Sequence, residues 1–152
     1  MREELTERFD AIEECYEFML AYAAQGLPAD GGNKPGSQLR VHLQRASDAL
    51  AGLAEASRTA VETECLQPQE RYERFLTVLE RDANASLAAM ALVLAQPGIS
   101  SQVIDNLNAS IHLRALLTGI FLLDEIFRSA RSAVPGTVSA QAQTADRAEA
   151  GQ

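Results

Sequence analysis

The residues that could do chemistry are few. His42 and His112 are the two histidines of the chain, and Cys15 and Cys65 its two cysteines. Neither cysteine has a partner at zinc-ligand spacing. A di-metal carboxylate centre needs Glu-x-x-His on two helices, but the residues three before His42 and His112 are Leu39 and Ala109. No metal and no cofactor is therefore expected. The densest polar group is Asp105, Asn108 and His112, which a helical wheel brings within about 60° of one another. Carboxylate, amide and imidazole on one ridge could bind a small ligand or a single ion, provided that further ligands converge from other helices. The plainer reading is a polar rim. Arg114 stands on another side of the helix, close to Leu107 and Ile111, and would need a carboxylate partner such as Glu13 or Glu17 if buried. With no Cys–His or Ser–His–Asp arrangement to argue, the chain is expected to be non-catalytic.

The segment His42-Leu-Gln-Arg45-Ala46-Ser47, with Gly52 farther on, suggests a second chemistry. An exposed neutral imidazole can attack a phosphoryl group, and a cation one helical turn away would meet the phosphoryl oxygens. Over this short segment the chain resembles the histidine phosphotransfer module, a four-helix bundle whose exposed His relays phosphate between response-regulator domains. The resemblance implies that His42 accepts the phosphate and that Arg45 is the cation. Arg45 stands where that family has Lys, and Ala46 where it has Gly.

Helices must position these residues, because apolar side chains recur at spacings of 3 and 4 and no strand-like alternation is sustained. A first helix is expected over about 3–25, with Leu5, Phe9, Ile12, Tyr16, Met19 and Ala23 as its seam. Gly26 suits a left-handed cap, with Pro28 soon after. A loop over 26–37 follows, rich in Gly and Pro. Ser37 then caps a helix over 38–65, Pro68 opens one over 69–96, and Ser100 or Ser101 caps the last, over 101–131. Short connections and matched lengths predict an all-α, up-down-up-down antiparallel four-helix bundle over 1–132. Residues 133–152 have no apolar stripe and read as a disordered, flexible tail.

The last helix is apolar on two faces. Ile104, Leu107, Ile111, Thr118, Leu122 and Ile126 form one, and Ala109, Leu113, Leu116, Ile120, Leu123 and Phe127 the other. A helix apolar on both sides is buried on both sides. The first face is expected to meet its own chain and the second to be an interface. Symmetric self-pairing makes a homodimer the leading expectation, with a helix from a partner protein as the alternative.

Composition narrows the function classes. The chain has 152 residues and a formal net charge of −8, so a broad nucleic-acid surface is not expected. The apolar run Ala115–Leu123 is far shorter than the roughly 20 residues of a membrane span. The acidic start of the chain lacks the apolar core of a signal peptide, and two cysteines are too few for a disulfide framework. Lys34 is the only lysine among many arginines and alanines, a bacterial-like, GC-rich usage. A cytoplasmic adaptor, chaperone or regulator is the resulting expectation.

Overall fold

A computed structural model of the protein describes residues 2–29 and 33–133. Among these residues there are six helices and no strand: α1 (Arg2–Ala24), α2 (Lys34–Ala51), α3 (Leu53–Thr63), α4 (Gln69–Leu94), α5 (Ser101–Asn108) and α6 (Ile111–Ser132). The tail expected over 133–152 lies, apart from Ala133, outside the described residues.

In α1 the buried side chains are Leu5, Phe9, Ile12, Cys15, Met19 and Tyr22. Their spacing is tighter than 3.6 residues per turn, which brings Cys15 and Tyr22 into the core. Tyr16 and Ala23, expected in the seam, are only partly covered. Gly26, at φ +63°, takes the left-handed conformation that follows the end of α1.

Helix α2 starts a turn earlier than the sequence suggests. Asn33 is the cap in place of Ser37, and its Oδ1 accepts from the Gly36 N–H at 2.7 Å. Pro35 fits that first turn, where the ring removes no intrahelical bond. The single helix expected over 38–65 is two, jointed at Gly52. Arg8 reaches across from α1 and donates to the carbonyls of Asp48 (3.2 Å) and Ala49 (3.0 Å), which α2 leaves open at its end. At the end of α3, Cys65 N–H donates to Glu62 O (3.1 Å) and Leu66 N–H to Val61 O (3.0 Å), the Schellman pattern. Cys65 holds the left-handed position, at φ +52°.

The helix expected over 101–131 is also two. Ser100 caps α5, its Oγ accepting from the Val103 N–H. At the other end Ala109 N–H still bonds to Asp105 O, but Ser110 N–H closes a tighter turn onto Leu107 O (3.0 Å), and α6 starts afresh from Ser110. Asn and Ser are weak helix formers, and the break falls on them.

Helix α1 packs against α2, α3 and α5, while α4 packs against α2, α3 and α6. Polar groups tie the ends of these elements together. Arg2, at the start of α1, donates to Glu64 Oε1 (2.6 Å) just past α3 and to Phe127 O (2.8 Å) late in α6. At the other end, Tyr22 O–H donates to Ile99 O (2.6 Å), and Ser101 Oγ donates to Tyr22 O (2.6 Å) while accepting from Leu27 N–H (2.8 Å). Arg40, early in α2, donates to the O of Leu94, the last residue of α4, and to Gln96 O just beyond it. No described helix is long and apolar enough to cross a membrane.

Candidate functional site

Gly119 sets the approach of α6 to α4, since a Cβ there would stand 3.0 Å from Leu79 Cδ1. With that contact made, α6 turns Leu113, Leu116, Leu117, Ile120, Leu123 and Phe127 into the core. Its outer side carries Ile111 (80 % exposed), Leu122 (49 %) and Ile126 (37 %), with Phe121 (54 %) on the flank. Toward α4 this stripe borders a groove of about 230 Å³ lined by Pro68, Tyr72, Phe75, Leu123 and Ile126. Val78, half exposed on α4, adds to the apolar surface. Arg114 and Glu125 stand exposed on the far side of the stripe.

This geometry corrects the expected interface. Leu113, Leu116, Ile120, Leu123 and Phe127, assigned above to a second chain, are buried within one chain. Ala109 is exposed in the break between α5 and α6. The cause is that break: it shifts the phase, so that Ile104 and Leu107 of α5 join Leu113 through Phe127 of α6 in one core. Ile111, Leu122 and Ile126, expected to meet their own chain, are the residues left outside. Phe121 belongs to neither stripe and escapes a period-based reading. The signal for the break was the run Asn108-Ala109-Ser110, three positions with two weak helix formers.

The polar ridge is not assembled. Asp105 and His112 are exposed, while Asn108 is buried and neither of its side-chain atoms has a hydrogen-bond partner. Asp105 faces a shallow pocket with Ser101 and Gln102. His112 Nδ1 lies 4.0 Å from Asp82 Oδ1 of α4 instead. Arg114 is exposed and so needs neither Glu13 nor Glu17. Burial first, then Asp10, Asp124 and Glu17, push the Glu13 carboxyl above its usual range, against a smaller opposite effect of Arg128. No group of three His, Cys, Asp or Glu able to hold a metal occurs among the described residues.

His42 is partly buried, its ring stacked on Phe18 of α1 with centroids 4.5 Å apart and 24° between planes. Arg45 turns to Glu14 of α1, at 3.5 Å. Both side chains are thus engaged with α1. Comparison with family models, with curated proteins and with solved structures finds no match to this chain. What it can do is therefore read from its own surface. The two thiols differ: burial pushes Cys15 up to about 12, with Met19 Sδ at 3.6 Å, whereas Cys65 is exposed.

Proposed function

We propose that the chain is a non-catalytic interaction protein that works as a cytoplasmic homodimer, in an adaptor, chaperone or regulatory role. Its protomer is an up-down-up-down four-helix bundle in which α2–α3 and α5–α6 each serve as one jointed helix. The ties between helix ends support that architecture: the start of α1 meets the ends of α3 and α6, and its end meets the start of α5.

One observation carries the functional reading. The outer face of α6 presents Ile111, Leu122 and Ile126 to solvent beside the apolar groove against α4. Covering a large aliphatic side chain is worth roughly 1.5–3 kcal/mol, so a partner that covers three gains substantially. Sedimentation measures the consequence. A dimer persisting at sub-micromolar concentration is expected, and Leu122→Glu with Ile126→Glu should give a monomer of unchanged helicity. A natural chain that stays monomeric even at millimolar concentration overturns the reading.

A further inference from the structure

We infer that the occupant of the α6 face is α6 of a second copy, running antiparallel and centred on Thr118 and Gly119; this rests on the homodimer proposed above. Two rows of side chains carry it. In the central row, Ile111 and Ala115 lie on one side of the helix midpoint and Leu122 and Ile126 on the other, with the same spacing in each half. Reversing the helix about a point between residues 118 and 119 lays Ile111 against the partner's Ile126 and Ala115 against the partner's Leu122. Bulk then meets bulk at both ends, with the smaller Ala115 opposite the larger Leu122.

The flanking row is palindromic too, and in charge. Arg114 and Glu125 are both exposed on the side of the stripe away from α4, and neither has an ion-pair partner among the described residues. Their midpoint falls between residues 119 and 120, one residue from that of the apolar row, a displacement of about 1.5 Å along the axis. The same antiparallel pairing therefore sets each Arg114 against the partner's Glu125, twice per dimer. A parallel pairing would instead carry the two copies of this row to opposite edges of the seam, where Arg114 and Glu125 would not meet. Charges flanking an apolar helix seam select orientation in this way.

Single-cysteine cross-linking of the full chain tests the arrangement, in a Cys65→Gly background that leaves only the buried Cys15. Thr118→Cys, on the two-fold axis, should form a disulfide-linked dimer under mild oxidation, and Ser129→Cys, far from it, should not. Both positions are exposed, so neither change threatens the fold. Arg114→Glu and Glu125→Arg should each raise the dimer dissociation constant about ten-fold, and the two together should restore it. Equal cross-linking at 118 and 129 overturns the antiparallel pairing in favour of a parallel one. A dimer that cross-links at neither site, or ignores both charge reversals, overturns this inference while leaving the homodimer standing. Only a chain that never dimerises removes both.

Discussion

The guanidinium of Arg8 occupies the space that a side chain at residue 52 would need: a Cβ on Gly52 would come 2.6 Å from both terminal nitrogens of Arg8. The absence of that carbon lets Arg8 reach the carbonyls of Asp48 and Ala49. Gly52→Ala should be close to neutral by itself. The lost charge-assisted bonds cost about 1–2 kcal/mol at a partly exposed site, and alanine, by restricting the unfolded chain, returns about 0.4–1 kcal/mol. The coupling is the decisive quantity. Arg8→Ala should cost about 1 kcal/mol in the natural chain and almost nothing in the Gly52→Ala background, a double-mutant cycle that urea unfolding can close.

Cys65 pays a conformational penalty of its own. It holds the left-handed position of the turn that ends α3, at φ +52°, where a side chain costs about 1–2 kcal/mol relative to glycine. Its thiol is exposed, so little packing is lost on removal. Cys65→Gly should therefore raise the thermal midpoint by several degrees, allowing for the greater freedom glycine gives the unfolded chain. A lowered midpoint would mean that the thiol makes a contact worth more than the strain.

The two faces of the last helix separate fold from association. Leu116 and Ile120 are fully buried, so Leu116→Glu or Ile120→Glu would place an unpaired charge in the core, at a cost of at least about 3 kcal/mol. Loss of the cooperative unfolding transition is expected from either. Leu122→Glu lies on the outer face and should leave helicity and thermal midpoint nearly unchanged at monomer concentrations. Circular dichroism across the three variants checks this, and a stable Leu116→Glu chain would contradict the burial.

That contrast also measures how far the sequence can be read. The helices are legible because spacings of 3 and 4 are sustained and because Gly26, Pro68 and Pro97 punctuate them. The joints are not. A glycine or a serine inside an apolar period is compatible with an unbroken helix, and the Arg8 guanidinium that fills the joint at Gly52 is brought there only by the folded chain. The same blindness affects the site. One wheel drawn through Ser110 merges two helices of different phase, so both apolar faces are legible but over α6 their inward and outward roles are exchanged. Asp105, Asn108 and His112 form a ridge only on that unbroken wheel.

Glu13 gives a pH dependence whose sign can be fixed. Its carboxyl is raised above the ordinary carboxylate range, by burial first and then by Asp10, Asp124 and Glu17. The folded chain thus holds this proton more tightly than the unfolded one. Its stabilising effect is complete below the unfolded value and is lost as pH rises through the folded value. At neutral pH the ionised Glu13 opposes folding, so Glu13→Gln should raise the midpoint there. The gain should shrink as pH falls through the acid range and vanish once the natural carboxyl is protonated in both states. A gain that persists undiminished in acid would assign the effect to packing instead of charge.

Asn108 is the least satisfied residue of the core. It is 8 % exposed at the end of α5, and both its amide nitrogen and its amide oxygen lack hydrogen-bond partners. An unsatisfied buried polar group costs about 1–3 kcal/mol, and replacing it with an apolar group of similar shape removes that cost. Leucine has nearly the right shape and is also the better helix former. Asn108→Leu should therefore stabilise the chain by about 1 kcal/mol, read as a higher urea midpoint with an unchanged slope. The slope matters because the substitution also tests the joint. If the break at Ser110 depends on asparagine and not on packing, the variant should gain helicity as α5 and α6 fuse, and α6, carrying Ile111 and Leu122, would then rotate relative to α5, loosening the proposed dimer. A more stable chain with unchanged helicity and unchanged mass would instead assign the break to packing around Leu107 and Leu113.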